Sequence, residues 1–120
     1  MLQDQETQGG GAVGAEIDRA WRCAACGAEI ARDRDRLPLD GAPTRAFVNP
    51  EGIEYVIARF REAAGCIPFG ERSAYWSWFP GFAWQIALCA ACGGHLGWSF
   101  HSDREAFYGL VLDRLSAPSA

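Results

Sequence analysis

A chain of 120 residues, about half of them apolar, is sized for one domain with a buried core. A formal net charge of −4 and a pI near 5.1 exclude the basic surface that tracks nucleic-acid phosphates. No apolar run reaches membrane-span length and no basic-then-apolar leader opens the sequence, so the expectation is a non-exported, cytoplasmic protein with no membrane partner. All eleven basic residues are arginine, which removes lysine chemistry such as a Schiff base or a P-loop ammonium.

Taken in chain order, residues 1–14 are polar and glycine-rich without a period, the pattern of a disordered lead-in. WRCAACGAEI (21–30) reads as a tight cysteine turn flanked by strand residues, and RDRDR (32–36) as a solvated loop. Ala46 to Val48 is a strand stub, stopped by Asn49-Pro50 and Gly52 in a turn. Ile53 to Phe60 is rich in β-branched and aromatic residues and reads as a strand, with a short helix as the competing assignment. Phe82 to Leu88 alternates, placing Trp84, Ile86 and Leu88 on one face. Leu96–Phe100 and Phe107–Leu115 complete the set, and 117–120 form a loose tail. Short strands separated by turn signals predict an antiparallel all-β domain over residues 15–116.

Five cysteines are an awkward number for a disulfide framework. Four of them form two pairs, Cys23-x-x-Cys26 and Cys89-x-x-Cys92. Two intervening residues let a tight turn aim both sulfurs at one ion, and two such turns complete the tetrahedron of a structural Zn²⁺. The 62 residues between Cys26 and Cys89 cost roughly 3.7 kcal/mol plus a constant to close into a loop. Structural zinc supplies on the order of 10–16 kcal/mol, so binding wins. The competing reading is a redox C-x-x-C, which needs only one pair; iron is chemically admissible at four thiolates. With every ligand a thiolate there is no open position for water, so the metal is structural. His95 is a possible substitute ligand or a hydrogen-bonded histidine. Cys66 is left over and reads as a buried apolar thiol, with a nucleophile as the alternative.

Residues 73–100 hold four of the five tryptophans, Trp76, Trp78, Trp84 and Trp98. Large aromatics usually fill cores. Here, however, a hairpin turned at Cys89–Cys92 sets Trp84 opposite Gly97 or Trp98, as adjoining walls at an angle. Phe100 follows on the face of Trp98. Phe79-Pro80-Gly81-Phe82 is a turn signature that folds Trp78 back as a third wall. Residues 72–102 carry no Asp or Glu and one basic residue, Arg72. That composition favours a flat neutral ligand whose polarity is met by backbone groups of the Trp76–Trp78 loop.

SWFPGFAW (77–84), the Cys89–Cys92 pair and HLGW (95–98) resemble the thalidomide-binding domain of the cereblon family, also called the CULT domain. Cys23-x-x-Cys26, FVNPEG (47–52) and FYGL (107–110) extend the resemblance over roughly residues 20–115. It implies the β-tent fold, two antiparallel sheets meeting near the zinc, and a pocket for cyclic imides. An imide edge would bond to backbone at Trp76 and Trp78, and its ring would sit among Trp78, Trp84 and Trp98 over Phe100. Asn49 and Pro50 would touch whatever projects from the ring. Thalidomide-type drugs, uracil-like rings and peptides ending in a cyclised Asn or Gln are the ligands implied. Trp76 departs from the histidine of the animal proteins and Phe82 from their tyrosine. Eukaryotic members carry further domains that dock into a ubiquitin ligase. The short chain suggests the free-standing bacterial version, without those docking domains.

Two other functions compete with a binding module. Methionine sulfoxide reductases share the tent and its zinc support, but they place a nucleophilic cysteine on a late strand. Neither HLGWSF nor FYGLVLDRL has one. A cage for methylated ammonium would want a carboxylate nearby. The sequence therefore favours a binding module over an enzyme.

Overall fold

The computed structural model describes residues 19–119, and the lead-in expected at 1–14 lies outside them. Within those residues every regular element longer than a single turn is a strand, as expected of an all-β chain. The strands form two antiparallel sheets, consistent with the β-tent. In the small sheet, β1 (Ala20–Cys23) lies between β2 (Glu29–Arg32) and β10 (Leu115–Ser116). The large sheet runs β3 (Arg36–Leu37), β5 (Glu54–Phe60), β9 (Ala106–Val111), β8 (His95–His101), β7 (Ala83–Cys89) and β6 (Cys66–Ser73). A further strand, β4 (Thr44–Val48), shares the outer edge of β5 with β3. No helix among the described residues is long and apolar enough to cross a membrane.

The strand expected from Ile53 to Phe60 forms as β5, with β4 and β9 paired to its two edges. Other expectations are corrected. Arg32–Arg36 is more than a solvated loop. It ends β2, makes one 3₁₀ turn at Asp33–Asp35 and begins β3. Asp33 Oδ1 accepts the indole N–H of Trp21 at 2.8 Å, and the Arg36 guanidinium lies 4.9 Å over the Trp21 ring. The expected strand Phe107–Leu115 is split, since a 3₁₀ turn at Leu112–Arg114 carries the chain from β9 in one sheet to β10 in the other. Strand β6 was not expected at all. It is an edge strand exposed along most of its length and interrupted by Pro68 and Gly70, so it lacks the alternation that marks a half-buried strand.

The cores follow from the two sheets. One cluster, built on Trp21, Ile30, Phe60, Leu96 and Leu110, fills the space between them beside the cysteines. A smaller one, Leu39, Phe47, Ile57 and Val111, supports Trp78 and Trp98 from below. Strands β8 and β9 approach closely at Gly97, where a Cβ would run into the Gly109 carbonyl and the Leu110 Cα. Only glycine fits that crossing, which explains the residue preceding Trp98. Gly97→Ala is therefore expected to destabilise the domain by ~1–3 kcal/mol. A urea midpoint unchanged from the parent would refute the close-approach argument.

Candidate functional site

The two cysteine pairs fold into copies of one local structure. Cys23 ends β1 and Cys89 ends β7, and each carbonyl accepts the N–H of a glycine four residues on, Gly27 or Gly93, at 2.8 Å. Both glycines take a left-handed φ, +81° and +78°, which a side chain would resist. The N–H groups of Cys23 and Cys89 then bond to Ala28 O and Gly94 O, closing each turn. One turn belongs to the small sheet and the other to the large, so the site they form joins the two.

The four Sγ atoms all lie within 4.8 Å of one another. Cys23 Sγ stands 3.8 Å from Cys92 Sγ, and Cys26 Sγ 3.7 Å from Cys89 Sγ. Tetrahedral zinc with Zn–S bonds of about 2.3 Å requires sulfur–sulfur edges of about 3.8 Å. The donor set fits the ion in number, chemistry and size, and the four cysteines form a structural zinc site. His95 is not among the ligands. Its Nε2–H donates to Gly97 O at 2.9 Å, and its Nδ1 accepts from Arg114 Nη1 at 3.3 Å. Burial holds this imidazole below its ordinary range, against the pull of the Gly97 bond, and the Arg114 cation adds to the depression. Cys66 is the register partner of Cys89 on β6 and packs against the core cluster that holds Trp21 and Phe60. Burial pushes its thiol up to about 12, with the neighbouring Cys89 sulfur adding to the rise. This is a protonated, half-buried thiol.

The register of the β7–β8 hairpin differs from the sequence expectation. Trp84 stands opposite Phe100, and Trp98 opposite Ile86. The cysteine turn is wider than a two-residue loop, and a bulge between Ala87 and Leu88 leaves Leu96 as an extra residue. The two effects together slide Trp98 past Trp84 by two residues. All four side chains still share one face, but Trp84 and Trp98 become diagonal neighbours, nominally about 7–8 Å apart. Diagonal placement suits a slot, because a flat ring in van der Waals contact with walls on both sides needs roughly 7 Å.

The loop before β7 supplies the third wall. Phe82 N bonds to Phe79 O at 3.0 Å, and Gly81 takes φ +87°, so FPGF makes its expected turn. Trp78 is folded back onto Phe47, stacked at 5.0 Å and 19°, and meets Trp98 edge-on at 5.0 Å and 80°. Three indole N–H groups are consumed by backbone: Trp76 and Trp78 both donate to Val48 O, at 2.9 and 2.8 Å, and Trp84 to Tyr75 O at 2.6 Å. The shared Val48 carbonyl ties the Asn49–Pro50 turn to the tryptophan loop. Asn49 stiffens that turn itself, its Oδ1 accepting the N–H groups of Glu51 and Ile53.

These pieces enclose a cavity of about 170 Å³ lined by Asn49, Pro50, Tyr75, Trp76, Trp78, Trp84, Trp98 and Phe100. All seven residues singled out in the sequence line it. Tyr75 is the one that sequence reasoning missed; its only signal was adjacency to Trp76. Phe100, 1% exposed, is the floor. The lining has no carboxylate, imidazole, thiol or ammonium. The backbone N–H and C=O groups of Trp76 and Trp78 have no hydrogen-bond partner among the described residues, so the loop keeps both donors and acceptors free.

No protein-family profile matches the chain. Among curated proteins it is similar to protein cereblon of Xenopus tropicalis, 40% identical over 78 residues, covering 61% of this chain and 17% of that protein. The cereblon of Gallus gallus is 37% identical over 78 residues, 61% of this chain and 18% of the relative. That of Drosophila melanogaster is 34% identical over 98 residues, covering 74% of this chain and 17% of the relative. The chain thus matches less than a fifth of the length of each.

Zinc binding of ~10–16 kcal/mol is as large as the whole stability of a typical domain, ~5–15 kcal/mol. The purified chain should therefore carry one zinc, and Cys89→Ser should lose both metal and β-sheet circular dichroism. Cys66→Ser should keep both. A chelator-stripped chain with an unaltered melting transition would contradict a structural role for the ion.

Proposed function

We propose, from the premise that this chain is a cereblon-type CULT domain, that it is a binding module for neutral cyclic imides and related flat heterocycles. The observation that carries the reading is the cavity walled by Trp78, Trp84 and Trp98 over Phe100. Its size suits one ring, since an apolar cavity of roughly 150 Å³ holds a benzene-sized molecule. Its chemistry suits an uncharged one. No ionisable group other than the Tyr75 phenol lines it, so a cation would be desolvated there without a counter-charge. The absence of a carboxylate weighs in the same way against a methyl-ammonium cage.

The polar requirement narrows the class further. Three of the four lining indoles have already spent their N–H groups on backbone, and the main chain of Trp76 and Trp78 offers adjacent donors and acceptors beside the Trp98 N–H, the Asn49 amide and the Tyr75 hydroxyl. A cyclic imide offers one N–H flanked by two carbonyls. That edge complements a loop presenting C=O and N–H a residue apart. Glutarimide, uracil-like rings and peptides ending in a cyclised Asn or Gln all carry it. The same lining supports a non-catalytic role, since it contains no evident general base or nucleophile, and Cys66 lies elsewhere. A site of four thiolates suits a compartment that keeps thiols reduced, such as the cytoplasm.

A glutarimide has about eight heavy atoms, and at the middle of the usual range per atom its affinity falls near micromolar. Titration should quench tryptophan emission with a Kd of that order, and Trp84→Ala should weaken binding at least tenfold. N-methylation of the imide should abolish binding, because the loop acceptor loses its donor and is desolvated for nothing. Equal affinity for the methylated compound would rule this pocket out as an imide site.

A further inference from the structure

Of the five tryptophans, Trp98 is the one whose indole N–H has no hydrogen-bond partner among the described residues. Trp21 donates to Asp33, Trp76 and Trp78 to Val48 O, and Trp84 to Tyr75 O. A cavity wall without a polar tether takes its place from packing. Three rings meet Trp98 edge-on: Trp78 at 5.0 Å and 80°, Tyr55 at 5.3 Å and 76°, and His95 at 4.9 Å and 90°. Trp78 is itself a wall. Tyr55 and His95 do not line the cavity, so they hold the indole from outside it.

Both of those rings are gripped by one side chain. Arg114 Nη1 donates to His95 O at 3.0 Å and to His95 Nδ1 at 3.3 Å, and its guanidinium carbon stands 5.8 Å from the centre of the Tyr55 ring. Hydrogen bonds from a cation are stronger than neutral ones, and the Tyr55 contact lies at cation–π range. The opposite nitrogen of the imidazole is fixed as well, on the carbonyl of Gly97, the residue before Trp98. Arg114 is half-buried in the 3₁₀ turn that carries the chain from one sheet to the other. Its carbonyl accepts the N–H of Ala24, inside the first cysteine turn, at 3.0 Å. The main chain of Arg114 is thus anchored at the metal site while its side chain reaches the back of the box.

We propose that Arg114 is a positioning residue for the Trp98 wall, clamping His95 and Tyr55 against the indole from a backbone fixed to the cysteine turn. It lines no part of the cavity, so its effect on a bound ring passes through Trp98. The binding arm of the test rests on the reading of the box as an imide site. The orientation of Trp98 is read without any ligand, which keeps the two separable.

Fluorine NMR of the chain labelled with fluorotryptophan reads the indoles directly, each line being assigned from the tryptophan-to-phenylalanine variant that loses it. Arg114→Met keeps the apolar stem and removes the fork. In it the Trp98 line should shift or broaden more than those of Trp21, Trp76 and Trp84. Glutarimide should bind about three- to tenfold more weakly, the scale of freeing one immobilised side chain. Arg114→Lys, a point donor in place of a fork, should fall between parent and Arg114→Met in both readings. Tyr55→Leu, which leaves the bonds between Arg114 and His95 in place, should move the Trp98 line and weaken binding in the same direction. If Arg114→Met does not fold, Arg114→Lys and Tyr55→Leu are judged by the same two readings. An unmoved Trp98 line overturns the clamp, and so does a moved line with parental affinity for glutarimide. If glutarimide fails to bind the parent chain while the Trp98 line moves, the imide reading falls and the clamp stands.

Discussion

Four sulfurs around one ion set the geometry on which everything else rests. Each sheet contributes one glycine-ended turn, so the ion ties together two sheets that also share the core cluster of Trp21, Ile30, Phe60, Leu96 and Leu110. It does so at the base of β7 and β8. Those strands carry Trp84, Trp98 and Phe100 on one face. The spacing of the aromatic walls is thus inherited from a metal site remote from the cavity chemistry.

The bracing continues in polar contacts that would look incidental one at a time. A box made only of indoles would close on itself, since aromatic faces attract one another and an empty apolar cavity costs stability. Here the rings are spoken for. Trp78 has one face on Phe47 and its edge on Trp98, and its N–H on Val48. Trp76 shares that carbonyl, and Trp84 holds Tyr75 O. Collapse would require breaking several of these bonds together. The structure therefore keeps a slot open by satisfying its walls elsewhere, and a preformed slot lowers the ordering cost of binding.

What was legible in the sequence divides along a physical line. Features encoded within a few residues were readable: the C-x-x-C turns, the FPGF reversal, the Asn49-Pro50 turn and the tryptophan-rich segment. Features set by tertiary pairing were not. The register of Trp84 against Trp98 depended on a bulge at Leu88 and on the width of the cysteine turn, neither of which has a composition of its own. Strand β6 exists because β7 offers it an edge, although its exposed, proline-bearing sequence has weak strand character. RDRDR looked like solvated charge because the partners of Asp33 and Arg36, above all Trp21, are remote in fold context rather than in pattern. Tyr75 was passed over for the opposite reason: an exposed tyrosine beside three tryptophans carries no signal until its carbonyl is seen to hold one of them.

On the binding reading, the division of labour within the site has a consequence for selectivity. Polar recognition falls to two peptide units, whose donors and acceptors are independent of side-chain identity. The indoles contribute contact area through their faces, which discriminate shape and flatness but not substituents. Such a site rejects a ring that lacks the matching edge, because the loop groups would then be buried unpaired. It tolerates wide variation beyond the mouth, where the walls end. A backbone-read edge and an aromatic-read plane together specify a chemical class more strongly than any one compound.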